Sequence, residues 1–472
     1  MSGAQAYPGL SREALVERIV EQDHEIAALR LQIETLQAEI AQLKRAGRRQ
    51  AAPFATGKHK AHPQRPGRKP GQGEFQFRAL PPPEAVTEPI VEVPVTQSAC
   101  PACGGPLVED GEEWAYRTEV PPAPQPQVTP YRVQRCRCVA CGKRVRGRHP
   151  DVALDQYGAS AHRLGERVLA SAHTLHYGLG VPLRKVPAIL AELTGVQVTQ
   201  GALTADAQRR AAGSVGQVYE TLRARAPTAP AIHTDDTGWR IGGQPAHLMV
   251  FETDTATVYQ IRARHRNDEV REIVPATYEG VLVTDRGRSY DADALAGVRQ
   301  QKCLAHIQRS LSEVLEQQRG RARTFGLRLK ALFHEALELW HAYHQGQAPD
   351  FAAQVERLEG ALTEALRPRR LTNAANQSLL NELGWQQDRG NLLRFLDDPQ
   401  IEPTNNRAER ALRPAVIARK VSHCSKTPGG AQTFAAFTSV LRTLAKTHAG
   451  TLVDGLVHVF RFAQLPPPPE SR

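Results

Sequence analysis

The sequence predicts a multidomain chain: an N-terminal coiled coil, a small cysteine-knuckle domain, a helical region, then an α/β core with a large helical insertion and a helical C-terminus. Three observations predict it. A heptad repeat runs through residues 15–43, two Cys-x-x-Cys pairs follow, and three consecutive strand-like runs begin at Ala231. At 472 residues the chain is too long for one core, and its 41% apolar content suffices for several.

The first element spans residues 11–46. Leu15, Ile19, Ile26, Leu29, Ile33, Leu36, Ile40 and Leu43 recur at spacings of three and four, with Gln22 at one polar seam position. Ile falls at a and Leu at d, the choice that favours parallel two-stranded coils. With Ile19 as a, the g-to-e′ pairs are Arg18 with Asp23, Glu25 with Arg30, and Glu39 with Lys44. Each pair is of opposite sign in a parallel homodimer, so self-association is expected.

Residues 47–90 read as a basic Pro/Gly-rich linker. The chain carries a formal charge of +11, and its excess is concentrated between Arg45 and Arg78. HKAHPQRPGRKPGQG cannot bury a core; it is a solvated tether, a basic arm along phosphates, or both. Lys58, Lys60, Arg65, Arg68 and Lys69 are the candidate contacts. Such a charge points to a polyanion, most simply nucleic acid. A membrane surface is the rival, but no apolar run is long enough to span a bilayer, and the start has no signal-peptide pattern. A cytosolic location with reduced thiols is therefore expected.

Residues 91–150 hold CPAC at Cys100 and Cys103 and CVAC at Cys138 and Cys141, each pair followed by Gly. Two such turns are the knuckles of a tetrahedral structural zinc site. The 34 residues between Cys103 and Cys138 exceed the usual spacing and require a loop or hairpin, which the Pro-rich stretch from Pro121 permits. Cys136 is an extra thiol, read as a bystander.

Residues 151–228 are expected to be helical. LRKVPAILAELTG followed by VQVTQGALTADAQRR is compatible with helix–turn–helix and equally with two packed core helices. Residues 229–320 begin the α/β core. IHTDDTGW, AHLMVFET and TVYQIRARH are three strand-like runs; a helical stretch from Asn267, the buried strand GVLVTD, a possible strand KCLAHI and the helix IQRSLSEVLEQQ follow. The expected order is three strands, helix, strand, helix, strand, helix. A helical insertion fills 321–400, and 401–465 opens with a helix in PTNNRAERALRP.

Carboxylates stand at special positions in this order. Asp235 and Asp236 lie on the first strand, Asp285 closes the fourth, and Glu409 sits on the late helix near Arg410 and Arg413. Three carboxylates brought together from separate elements suit a pair of magnesium ions, which have a use in phosphoryl transfer. Each also has a bland explanation as a cap, a surface residue or an ion-pair partner.

These motifs together resemble the transposases of the insertion-sequence-66 family. The resemblance covers nearly the whole chain: the zipper, GRKPGQG, the paired knuckles, HYGLGVPLRKV, TGVQVTQGAL, HTDDTGWR, LVTDRGRSYD, KCLAHIQRSL, NNRAERALRP and RKVSHCSKTPGGAQTFAAFTSVLRTLAK. NNRAERALRP is the most specific. The resemblance implies a DDE-class enzyme with a ribonuclease-H-like core that cuts and joins insertion-sequence ends using two magnesium ions. It implies a bacterial, nucleoid-associated location, and accessory proteins as possible partners. It maps the catalytic residues onto Asp235, Asp285 and Glu409. Where the family reads Asp-Glu-Thr, this chain has Asp235-Asp236-Thr237; neighbouring strand residues face opposite ways, so Asp235 is taken as ligand and Asp236 as neighbour. Asn405, Asn406, Arg410 and Arg413 match the flanking motif; Arg410 and Arg413 hold DNA phosphates or orient Glu409, and Lys420 is a further DNA contact. Cys303 and His306 match a Cys-x-x-His feature read as structural, since two ligands do not make a zinc site. Two rivals stand beside this reading: a catalytically silent zinc-containing DNA-binding regulator, and a metal-dependent nuclease that cuts without joining.

Overall fold

The computed structural model describes residues 11–51, 80–118, 126–153, 155–158 and 161–467. It divides into two compact units: Met1–Pro53 with Pro126–Arg472, and Phe54–Gln125. The linker residues Lys58, Lys60, Arg65, Arg68 and Lys69 lie outside the described residues.

Where described, the smaller unit has little regular secondary structure, with one 3-10 turn at Pro83–Ala85. Its knuckle closes by two backbone bonds: Cys100 N–H donates to the Gly105 carbonyl at 2.9 Å and Gly104 N–H to the Cys100 carbonyl at 2.8 Å.

In the larger unit, the heptad region forms helix α1 (Arg12–Ala51). Among its seam residues, Ile19, Ile26, Leu29, Ile33 and Leu36 are exposed. The second knuckle sits between strands β1 (Arg135–Arg137) and β2 (Arg144–Arg146), which pair antiparallel with Cys136 opposite Val145. It repeats the first knuckle's backbone: Cys138 N–H donates to the Lys143 carbonyl at 2.8 Å and Gly142 N–H to the Cys138 carbonyl at 2.9 Å. Gly104 and Gly142 adopt φ of 74° and 71°, the left-handed turn that explains the Gly after each pair.

The helical region contains α2 (Glu166–His173), α3 (Val186–Thr194), α4 (Gln200–Ala211) and α5 (Ser214–Arg225). Gly195 ends α3 in a left-handed conformation, and the Thr199 hydroxyl caps α4 by accepting from Ala202 N–H. Buried Asp206 ties α4 to α2 through His173 at 2.9 Å and takes further bonds from Arg209 and Arg210. The inner face of α4 is thus a packed ion cluster with Leu203 and Ala207.

Five strands make the central sheet: β3 (Ala231–Ile241), β4 (Gln244–Glu252), β5 (Thr257–Arg262), β6 (Val281–Thr284) and β7 (Arg299–Lys302), in the order β5-β4-β3-β6-β7. The first three form an antiparallel meander, as the sequence order implied, and β6 and β7 add in parallel beside β3. A short helix α6 (Asn267–Arg271) leads to β6.

Two expectations need correction. Between β6 and β7 there is no α-helix, only 3-10 turns at Arg288–Tyr290 and Asp293–Leu295. KCLAHI is not a strand: β7 ends at Lys302, and α7 (Leu304–Glu316) begins two residues on. The reason lies in β7 itself. Gln300, Gln301 and Lys302 are all buried, so no apolar pattern marks the strand. Their polar groups are satisfied internally: Gln300 donates to the Tyr290 carbonyl, Gln301 to the Leu392 carbonyl, and Lys302 to Thr284 and Gln300. Leu304, Ile307, Leu311 and Leu315 then follow helical spacing and bury the inner stripe of α7.

The insertion contains α8 (Arg323–His344), α9 (Phe351–Ala365) and α10 (Ala374–Asp388), and a short α11 (Arg394–Asp397) follows it. The chain returns to the β7 edge, where Lys302 N–H donates to the Asn391 carbonyl. Helices α12 (Asn406–Ser422), α13 (Pro428–Thr447) and α14 (Leu452–Phe462) complete the fold. At the opposite edge, β5 is covered by α13, whose Thr443 and Ser439 hydroxyls accept from Thr257 and Tyr259 N–H.

Strand alternation sorts the core. Ile232, Met249, Phe251, Val258 and Leu282 face one side, with Tyr278, Tyr290 and Val270. Leu248, Val250, Tyr259 and Ile261 face the other, under Ala408, Leu412 and Ala415 of α12. Among the described residues, no helix is long and apolar enough to cross a membrane.

Candidate active site

The site is built where β3, β6 and α12 meet. The parallel register pairs Ala231 with Val281 and His233 with Val283. Continued by two residues, it sets Asp235 beside Asp285 at the C-terminal end of β6, both on the face that carries Val281 and Val283. α12 crosses that same face of the sheet. Its buried stripe is Ala408, Leu412, Ala415 and Ala418, so Glu409 and Arg413 flank the stripe. A cleft of about 430 Å3 is lined by Asp235, Asp236, His306, Arg309, Glu409 and Arg413, among others.

Asp235 reports this crowding. Burial, then the carboxylates of Asp285, Asp236 and Glu409, push its carboxyl up to about 7, against one opposing bond from Asp236 N–H. That N–H donates to Asp235 Oδ1 at 2.8 Å. Neighbouring carboxylates that repel one another are a setting that a hard divalent cation would relieve; Glu409 also lies within metal-ligand reach of Cys303 and His306.

Asp236 is differently placed. Its Oδ2 meets His247 Nδ1 at 2.9 Å and its Oδ1 meets His265 Nδ1 at 3.1 Å. Burial pushes this carboxyl up, but the bonds from His265 and His247 prevail and hold it below the usual range. The two adjacent aspartates thus have different partners, as alternation requires.

The supports of Asp285 and Glu409 converge on one buried residue. Cys303 N–H donates to the Thr284 carbonyl at 2.8 Å, next to Asp285. Cys303 Sγ accepts from Asn405 N–H at 3.2 Å, at the cap position of α12. Asn405 in turn donates its side-chain N–H to the Thr234 carbonyl at 2.7 Å, next to Asp235. Arg419 holds the far end of α12 to β3 through Thr237 and the Gly238 carbonyl. His306 lies by Cys303 and at 3.8 Å from Glu409 Oε1. Its pKa is raised first by the Cys303 thiol and further by the Glu409 carboxylate, against burial.

The Asp285 turn is equally constrained. Gly287 N–H donates to Asp285 Oδ1 at 2.8 Å, and a Cβ at 287 would lie 2.9 Å from that oxygen. Lys302, fully buried, bonds Asp291 Oδ1 at 2.8 Å and Thr284 Oγ1 at 3.2 Å behind the turn.

Of the other residues singled out from the sequence, Asn405 is buried in this network, whereas Asn406, Arg410, Arg413 and Lys420 are exposed along one side of α12. The zinc candidates are divided between the two units, Cys100 and Cys103 in one, Cys138 and Cys141 in the other. Within each knuckle one thiol is lowered by hydrogen bonds from its own turn: Cys100 chiefly by Ala102 N–H, Cys138 chiefly by Cys141 N–H. Sequence reasoning missed Arg309, His247 and His265. It also missed the role of Cys303 as a tie between two carboxylate-bearing elements, although Cys-x-x-His was visible as a motif.

Comparison with known families identifies the class. The family model described as Transposase IS66 family matches residues 162–433, more than half of the chain. The matched region runs from just before α2 into α13 and contains the whole sheet and the cleft. The chain belongs to the IS66 family of transposases. No curated protein matches it.

Proposed function

We propose that this chain is a DDE transposase that cuts the ends of an insertion sequence and joins them to target DNA. The observation that carries the reading is the meeting of Asp235 and Asp285, on adjacent parallel strands, with Glu409 from the helix crossing the same face. A meander of three antiparallel strands flanked by two parallel ones is the sheet expected of a ribonuclease-H-like core.

Asp235, Asp285 and Glu409 would hold two magnesium ions. When bound, these would supply positive charge to the attacking and leaving oxygens of a phosphodiester. In the first reaction a water oxygen bonds to phosphorus and the bond to the 3′-oxygen breaks, freeing a 3′-hydroxyl. In the second, that hydroxyl bonds to a target phosphorus and displaces a target 3′-oxygen. The protein's own work is positioning and exclusion of alternatives. The Cys303–Asn405 tie fixes the two elements that carry Asp285 and Glu409. Arg309 and Arg413 line the cleft with guanidinium groups suited to phosphate oxygens. Arg410 and Lys420 extend this charge along α12.

The N-terminal half would bind the element's ends. The linker bases would run along the backbone, the four cysteines would hold a structural zinc ion, and α1 would pair two protomers through its exposed Ile and Leu seam. Small accessory proteins are possible further partners. The test is cleavage and joining of labelled DNA carrying the element's own ends, with magnesium, and with accessory proteins added and omitted. Wild type should nick and join, and Asp285→Asn and Glu409→Gln should do neither. Nicking without joining under every condition would replace the transposase with a nuclease. DNA binding without nicking would favour a silent regulator.

A further inference from the structure

The second aspartate of the Asp-Asp pair belongs to a separate cluster. Asp236 of β3, His247 of β4 and His265 from the segment after β5 each offer one ligand atom, and these atoms all lie within 4.8 Å of one another. We propose that Asp236, His247 and His265 form a second metal site, for a transition ion such as Zn2+, at the edge of the carboxylate cleft, whose wall Asp236 also lines.

Local structure explains how the three side chains meet. His247 is directly opposite Gly238 across the β3–β4 ladder, so no side chain competes for the space beside its ring. The ring therefore leans along the strand towards Asp236, two residues back on β3, and its Nδ1 lies 2.9 Å from Asp236 Oδ2. His265 approaches the other carboxylate oxygen at 3.1 Å. Its far nitrogen, Nε2, is held by the Ser289 hydroxyl at 3.3 Å, and its ring stands edge-on to Tyr290 at 5.5 Å. Metal-bound histidines usually have their second nitrogen held by a hydrogen bond, and here the Ser289 hydroxyl is placed to provide one.

The donor set selects the ion. Two imidazole nitrogens and one carboxylate oxygen suit zinc and its first-row neighbours, whereas magnesium prefers oxygen alone. Around a tetrahedral zinc with bonds of ~2.0–2.1 Å, ligand atoms sit ~3.3 Å apart. The two carboxylate–imidazole separations are already close to that value. The His247 ring, 36% exposed, is free to rotate into place, whereas the His265 ring, 11% exposed and held by Ser289, is already set in its orientation. The open side would remain available to water. A bound ion would tie three successive segments together directly behind the strand that carries Asp235.

The experiment uses the full chain. Metal-stripped protein is loaded with Zn2+, dialysed, and its zinc per chain is measured for wild type, Asp236→Asn, His247→Gln, the His247→Ala/His265→Ala double variant, Cys138→Ser and Glu409→Gln. Unfolding curves check that each variant folds, and His247→Gln stands in if the double variant does not. The expected result is loss of one zinc per chain in the Asp236 and His variants, with no such loss in Glu409→Gln. Loss in Cys138→Ser would be separate and would add to it. Loading with Co2+ should give a visible component without thiolate charge transfer that disappears in the Asp236 and His variants and persists in Cys138→Ser. Zinc content unchanged by the His variants overturns the proposal and leaves the imidazoles as simple hydrogen-bond partners. Loss in Glu409→Gln instead would place the zinc in the carboxylate cleft, which also overturns it. Because the readout is metal content, a failure here leaves the transposase reading untouched, and a catalytically silent protein could still hold this ion.

Discussion

Replacing Asp235 by Asn in metal-free protein removes a carboxylate that burial and three neighbouring acids disfavour. The carboxyl is pushed from 3.8 to about 7 in the folded chain. A raised acid favours its protonated form, so its contribution to stability is fully present below pH 3.8 and lost as pH rises to about 7. The ceiling on that loss is about 4 kcal/mol. Asp235 keeps some contact with water, and about 2 kcal/mol is the working value after that discount. In chelator, wild type should therefore lose ground to Asp235→Asn across the window between pH 4 and pH 7. The variant should be about 2 kcal/mol the more stable at pH 8 and close to equal at pH 4 or below. Magnesium should reverse the order at pH 8, because binding stabilises the protein that keeps its ligand. Urea unfolding followed by circular dichroism at a series of pH values measures the difference directly, and groups common to both proteins cancel. A gap that does not vary with pH, or a wild type more stable than the variant at pH 8 in chelator, would refute the crowded-carboxylate argument.

Two further substitutions test the supports. Asn405→Ala removes a buried donor to the Thr234 carbonyl and should cost about 1–3 kcal/mol in urea unfolding, with cleavage reduced more than DNA binding. Lys302→Met leaves Asp291 without its buried cation and should destabilise by about 3 kcal/mol, although Lys302 touches neither the cleft nor DNA.

Much of the core was legible because its signals are periodic. The three runs from Ala231 alternate with turns between them, and they are β3, β4 and β5. Alternation along a strand also separates the surroundings of Asp235 from those of Asp236. The motif around Glu409 placed it on a helix, and its neighbours Ala408, Leu412 and Ala415 then turn that helix onto the sheet. What stayed hidden has a common cause. β7 is a buried strand made of Gln300, Gln301 and Lys302, whose burial depends on partners distant in sequence, so an apolar pattern could not mark it. His247 and His265 meet Asp236 only because Gly238 leaves room and because β5 returns the chain to that side. Cys303 showed as part of a motif, but its hydrogen bonds to Asn405 and Thr284 exist only once α12 and β6 are packed around it.

The most direct measurement compares the two adjacent aspartates. Asp235→Asn and Asp236→Asn, each shown to bind the element's ends as tightly as wild type, are assayed for single-turnover strand cleavage with magnesium. The account expects Asp235→Asn to abolish cleavage and Asp236→Asn to retain it. Cleavage lost in Asp236→Asn and kept in Asp235→Asn would contradict the assignment of the site to the face of β3 beneath α12.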